Sequence, residues 1–293
     1  GANKEDPMQV KAFFDEPTWT LTYVAYDEET GDAIVLDPVL DFDPLAWSTS
    51  TKSLDALESW IKEKKLNVHY VLDTHAHADH ISGIVEVKRR FNAPMGISED
   101  IVKVQSTFKD VFNFDDRYKT DGSQFDVLLK DGHELQAGSL KLKAIHTPGH
   151  MPACMSYQID DAVFTGDALF MPDFGTGRCD FPAGSAADLF NSVKKKLYTL
   201  DDKTRVFVGH DYMPGGRELA WETTIGESKE KNIHIRSNTT EEEFVNYRTE
   251  RDATLNPPRL IFQGVQVNAF GGELPPEESN GRRYMKIPLN LFG

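Results

Sequence analysis

Hydrophobic and polar positions alternate along the chain in blocks whose period changes. Residues 18–26 (TWTLTYVAY) and 33–37 (AIVLD) are apolar, aromatic and β-branched runs, and Glu29-Thr30-Gly31-Asp32 supplies a turn, so the stretch predicts two paired strands. Over 52–65 the period lengthens: Leu54, Leu57, Trp60 and Ile61 fall at i, i+3, i+6 and i+7, one face of a helix. VHYVLD (68–73) then predicts a buried strand, residues 80–91 a helix, 94–97 a short strand, and the residues from about 99 another helix. The same grammar repeats. LKLKAIHTPGH (140–150) alternates as a strand until Pro148-Gly149 breaks it, and CMSYQI (154–159) with AVFTGD (162–167) predicts a hairpin around Asp160-Asp161. A helix is expected over roughly 185–200, a strand leading into a loop over TRVFVGHD (204–211), and one more helix near 240–250 in a tail rich in Pro and Gly.

Strand runs separated by helices imply an α+β arrangement, sheets covered by helices on their outer faces. No low-complexity linker and no short-period repeat interrupts the pattern. A single domain over residues 1–293 is therefore expected, with 212–293 a C-terminal extension packed on it. The apolar fraction of 39% suffices for a full core, and no run of 18 or more apolar residues suggests a membrane span. No basic region followed by an apolar one opens the chain, so no secretory leader is expected.

A formal net charge of −15 argues against a nucleic-acid partner and against an anionic membrane surface, both of which require clustered Lys and Arg. Only two cysteines occur, Cys154 and Cys179, so there is no disulfide framework; a reducing, cytoplasmic setting fits. Cys154 sits in an apolar run and reads as a small core residue, whereas Cys179 follows Arg178 in a Gly-rich loop and its role is open.

Chemistry concentrates at the ends of the predicted strands. VLDTHAHADHISG (71–83) holds His75, His77, Asp79 and His80, four metal-competent side chains within six residues, which no packing requirement explains. His146, Asp167 and His210 each follow a further strand, so separate strands would present one set of ligands along one edge. Spacing alone leaves open whether one metal ion or two are held, and which element.

The order HxHxDH, a His ahead of a Pro-Gly-His turn, Gly-Asp and Gly-His resembles the metallo-β-lactamase superfamily. The resemblance implies an αββα sandwich of two mixed β-sheets flanked by helices, with the metal site at the sheet edge. In dinuclear members the matching positions would place His75, His77 and His146 on one ion and Asp79, His80 and His210 on the other, with Asp167 bridging and His150 in a structural role. THAHADHISG, HTPGHMPACMSY, TGDALF, GRCDF and VFVGHDY resemble the persulfide dioxygenase branch, and FMPDFGTGRCDFPAG with the tail resembles its bacterial β-lactamase-like, sulfide-detoxifying members. That likeness implies one Fe(II) per chain on His75, His146 and Asp167, with His77, Asp79, His80 and His210 supporting them. Two His and one carboxylate form the facial triad of non-heme iron oxygenases, which leaves positions open for O2 and a thiolate sulfur. Arg178 would meet a glutathione carboxylate and Tyr212 would approach the substrate sulfur.

The implied reaction is oxidation of glutathione persulfide, or another low-molecular-weight persulfide, by O2 to sulfite and thiol, with any sulfurtransferase a separate partner. The alternative is a glyoxalase II-type thioester hydrolase with two Zn ions. The Pro-rich tail is left either to cover the site or to pair subunits as a homodimer.

Overall fold

A computed structural model describes residues 8–292. Its elements are β1 (Gln9–Asp15), β2 (Thr20–Tyr26), β3 (Asp32–Leu36), β4 (Val39–Asp43), β5 (Ser48–Ser50), α1 (Lys52–Glu63), β6 (Asn67–Leu72), β7 (Ile81–Ser82), α2 (Ile84–Phe91), β8 (Met95–Ser98), α3 (Ile101–Phe112) and β9 (Val127–Leu129). The second half adds β10 (Glu134–Ala137), β11 (Leu140–His146), β12 (Met155–Ile159), β13 (Ala162–Phe164), α4 (Ala186–Lys195), β14 (Arg205–Phe207), β15 (Glu222–Thr224), α5 (Ile225–Lys231), α6 (Glu241–Asp252) and α7 (Ile261–Asn268).

Two mixed six-stranded sheets result, ordered β1-β2-β3-β6-β8-β9 and β10-β11-β12-β13-β14-β15. The side-chain period of two explains why both faces of the first sheet are apolar. Leu21, Tyr23 and Ala25 of β2, with Ile34 and Leu36 of β3, meet Leu142, Tyr157, Ile159 and Phe164 of the second sheet in one core layer. The intervening Val24, Ala33 and Val35 face outward into a second layer with Leu54, Leu57 and Ile61 of α1, Ile84 and Val87 of α2, and Phe108 of α3. Leu189 and Val193 of α4 join the first layer, so helices cover the sandwich as its strand pattern requires.

One boundary and part of the tail differ from expectation. The helix expected from His80 begins at Ile84, because Ile81 and Ser82 are drawn out to pair with Leu40 and Val39 of β4. The tail holds two helices that its Pro and Gly content concealed, α5 and α7, besides the expected α6. Among the described residues no helix is long and apolar enough to cross a membrane.

Where the sheets diverge, Asp32 of β3 ties them together. Its carboxylate accepts from the Ser139 amide in the β10–β11 turn at 2.8 Å and lies 2.7 Å from the His69 ring of β6. Partial burial works against the charge, but the Ser139, His69 and Thr30 contacts prevail and hold the carboxyl at about 2. A depressed carboxyl stabilises the fold above the unfolded value near 4, and that contribution disappears as pH falls toward 2. Asp32→Asn should therefore cost on the order of 1–2 kcal/mol at pH 6 and flatten the stability profile between about pH 4 and pH 2. Chemical denaturation at stepped pH measures this; an unchanged acid limb in the variant would assign the acid sensitivity elsewhere.

Candidate metal centre

At the opposite end the sheets join, and the join builds the site. Leu21 N donates to Gly209 O at 2.9 Å, Met155 N to Thr74 O at 2.8 Å, and Tyr157 Oη to Asp73 O at 2.6 Å. The first bond ties β2 to the loop after β14, and the other two stitch the loop after β6 to β12 of the second sheet. The loop carrying Asp167 reaches them because Gly166 adopts φ +53°, and a Cβ there would lie 2.8 Å from the Thr74 hydroxyl.

His75, His77, His80, His150 and His210 are all buried at this seam. The structure departs from expectation at His146. That residue is still paired with Met155 in the β11–β12 ladder. Its Nε2 lies 2.7 Å from Pro152 O and 3.2 Å from the Asp100 carboxylate, away from the other candidates. The Thr147-Pro148-Gly149 turn then carries the chain back, and His150, for which a structural role was expected, arrives beside His75 and Asp167. His75 Nε2 is 3.5 Å and His150 Nε2 3.3 Å from Asp167 Oδ2. One ligand atom from each of these three residues falls within 4.8 Å of the others, a spread that a single ion can span.

Hydrogen bonding prepares each ring. His150 Nδ1 donates to Arg178 O at 2.7 Å, so the Nε2 lone pair is left for a ligand, the usual arrangement behind a metal-binding imidazole. Burial pushes His150 down to about 4 and keeps it neutral. His77 is also lowered to about 4, by burial and then by neighbouring His75. Its Nε2 donates to Asp37 Oδ1 at 2.9 Å, which leaves Nδ1 open. His75 Nε2, His77 Nδ1 and His80 Nε2 are buried with no hydrogen-bond partner. Buried polar atoms without partners are costly, and a coordinated cation satisfies them. The donor set therefore fits a metal ion.

His210 is different, because both its nitrogens are engaged. Nδ1 lies 2.7 Å from Asp167 Oδ1, and Nε2 makes a short contact with Asp79 Oδ2. Burial opposes its charge, but Asp167 and Asp79 outweigh it and raise His210 well above its ordinary value. Burial likewise opposes ionisation of Asp79 and Asp167, and His210 holds both well below theirs. Thr20 on β2 touches the same group, with its hydroxyl 3.1 Å from His80 Nδ1 and 3.3 Å from His210 Nε2.

A cleft of about 470 Å3 opens from the buried Asp167 and His150. Trp19, Phe170, Phe174 and Tyr212 form its aromatic wall, and Tyr212 stacks on His210 with ring planes 10° apart. Arg178 lines the cleft, but its guanidinium already forks onto Asp180 at 2.7 and 2.8 Å and donates to Asn256 O. Cys179 is buried, and burial raises its thiol, which makes it a poor nucleophile.

Three contributors had only faint sequence signals. Asp37 ends β3 just before a Pro, the same strand-end placement that marks the ligands, and it accepts from Thr74 N at 2.8 Å as well as from His77. Thr20 carries no recognisable motif. Asn268, the last residue of α7, donates to His77 O at 2.8 Å and His80 O at 2.7 Å and accepts from Ser82 N at 2.8 Å, so one buried amide fixes three backbone groups of the metal loop. Gly264 permits that approach, since a Cβ there would come within 3.0 Å of both carbonyls.

The sequence model of the metallo-beta-lactamase superfamily matches residues 21–210. The chain is 46% identical to glyoxylase B2 of Dictyostelium discoideum, over 97% of this chain and 98% of that protein. It is 31% identical to the mitochondrial persulfide dioxygenase ETHE1 of Bos taurus, over 92% and 91% respectively. Among solved structures, ETHE1 from Myxococcus xanthus superposes with a TM-score of 0.72 at 32% identity, covering 91% of this chain and all of that one.

Asn268→Ala should leave three buried backbone groups unpaired and cost about 3 kcal/mol. Denaturant titration of the variant tests this, and a loss below about 1 kcal/mol would mean that water or a neighbour replaces the amide.

Proposed function

The chain belongs to the metallo-beta-lactamase superfamily, and from that premise we propose that it is a persulfide dioxygenase using one Fe(II) held by His75, His150 and Asp167. The observation that carries the reading is the division of the donors. One ligand atom from each of those three converges within 4.8 Å, while Asp79 and the other oxygen of Asp167 are both engaged by His210. Two imidazoles and one carboxylate form the ligand set of non-heme iron oxygenases. The 31% identity to a protein named persulfide dioxygenase, across nearly the whole chain, points the same way.

The balanced reaction is RSSH + O2 + H2O giving RSH, sulfite and two protons. Iron, when bound, supplies the redox chemistry that puts both oxygen atoms on the outer sulfur. The protein orients and excludes water. His210 fixes Asp167 through Oδ1 and leaves Oδ2 toward His75 and His150. Asp37 orients His77, and the Arg178 carbonyl orients His150. Trp19, Phe170, Phe174 and Tyr212 keep the approach apolar, which suits a soft sulfur anion better than water. Arg178 ties its loop to Asn256 in the C-terminal segment.

A second reading rests on a specific observation. His77 Nδ1 and His80 Nε2 are also without partners, and with Asp79 they form a second group able to hold a metal ion. The two groups, occupied by two Zn, would suit hydrolysis of a thioester, and the relative named glyoxylase B2 is 46% identical.

Metal analysis of anaerobically purified protein, with O2 uptake on adding glutathione persulfide, separates the two. The expected result is about one iron per chain and prompt uptake, as one facial triad requires. Two zinc ions and no uptake would overturn the proposal in favour of thioester hydrolysis. His150→Ala and Asp167→Ala should each lose the iron and lower sulfite formation by at least about 100-fold, whereas His146→Ala should retain both. Iron lost from His146→Ala but kept by His150→Ala would refute the ligand assignment.

A further inference from the structure

A second cavity, of about 440 Å3, also reaches the metal centre. Pro17 and Thr18 line both it and the aromatic cleft, so the β1–β2 turn is the partition between them. This cavity is acidic. Asp41 and Asp43 lie two residues apart on β4, hence on one face of that strand, and Asp15 ends β1. Their hydrogen-bond partners are neutral: the Thr18 hydroxyl for Asp15, the Ser53 amide and hydroxyl for Asp41, and the Leu45 and Ala46 amides for Asp43. Among the described residues no Lys or Arg pairs with any of the three.

At the inner end stands His80, which is 1% exposed and whose Nε2 has no hydrogen-bond partner. Polar atoms connect it to the acids. Asp15 accepts from Thr18 Oγ1 at 2.5 Å, Thr18 Oγ1 lies 2.9 Å from Thr20 Oγ1, and Thr20 Oγ1 lies 3.1 Å from His80 Nδ1. Burial pushes the Asp15 carboxyl up from its ordinary value, the Thr18 bond and His80 pull it down, and Asp41 and Asp79 push it up again, so Asp15 sits within the field of the groups on both sides. Exposure falls along the same path: Asp43 is exposed, Asp41 and Asp15 are half-buried, and His80 is buried.

Carboxylates left uncompensated in a recess concentrate cations there. Oxygen donors accept a hydrated divalent ion on arrival, and imidazole holds a first-row ion more firmly, so the donors grade inward from loose to tight. The aromatic cleft offers a cation less, since its wall is apolar and four arginines line it. We propose that the second cavity is the entrance for the metal ion: a divalent cation is drawn to Asp43 and Asp41, passes Asp15 and reaches the centre at His80, while substrate uses the aromatic cleft. The inference needs the metal centre, but neither the identity of its ion nor the reaction.

The test is metal uptake by the apo full chain, prepared with a chelator, with Co2+ as the probe and its visible absorption as the readout. Asp15→Asn/Asp43→Asn keeps an acceptor oxygen for each existing bond and removes two charges. It should slow uptake about tenfold or more, as steering by local charge implies, and slow release into excess chelator by the same factor, so that Kd is unchanged. Thr49→Trp, which fills the exposed rim of the cavity and alters no charge, should slow both steps as well. Asp116→Asn/Glu277→Gln, an equal change of charge at exposed positions elsewhere, should slow neither. Unaltered rates in either cavity variant, or equal slowing in the distant one, would overturn the inference. So would a weakened Kd with unaltered uptake, which would make the acids supports of the centre and not a passage to it. An unaltered protein that takes up no Co2+ would overturn the inference and the metal centre together. A protein that shows the paired slowing but consumes no O2 when loaded with iron would refute the dioxygenase reading alone.

Discussion

Burying charge at a seam between two sheets is the constraint on which this molecule depends. Moving carboxylates and imidazoles out of water is unfavourable unless each meets a partner, and here a doubly bonded His210 between Asp79 and Asp167 provides most of that compensation. Its position has structural consequences. His210 follows β14, Asp167 follows β13 and Asp79 lies in the loop after β6, so the ion group links strands of both sheets. Thr20 joins from β2 through an isolated bridge to His210, which closes the edge of the sandwich around the charges. The apolar layers hold the sheets together over their length, and the ionic seam sets where they meet.

Much of this was legible in the chain. Period-two runs located β2, β3, β6, β11, β12 and β13, because strands buried on both faces or strictly alternating leave little ambiguity. The His and Asp residues at strand ends marked the edge where chemistry would collect. What the sequence obscured has physical causes. Strand β7 is only Ile81 and Ser82, too short to show a period, and pairing with β4 drew it out of an apparently helical run. Helix α7 has Gly264 in its interior, a poor helix former placed there to approach two carbonyls, so propensity argued against the element for the very reason that it matters. The choice between His146 and His150 lay beyond spacing. The two are four residues apart around a Pro-Gly turn, and only the three-dimensional course of that turn decides which ring faces Asp167.

One donor set can serve more than one chemistry, and hydrogen bonds behind the donors decide which of their atoms remain open. His77 turned by Asp37, and His210 held between two acids, bias the number of atoms presented to a metal without altering the list of residues. Relatives at 46% and 31% identity bear different functional names, as expected of a fold on which chemistry is set by the site rather than by the architecture.

The amide of Asn268 reaches back 186 to 191 positions to the loop it braces. Contacts so distant in sequence form late, after the entropy of closing a long loop has been met. During synthesis, therefore, a ribosome-bound chain that has already emerged through its histidine cluster still lacks the brace for that cluster. The histidine loop gains its brace only once α7 has itself emerged and packed against it, so the two segments must fold as one unit despite their distance along the chain.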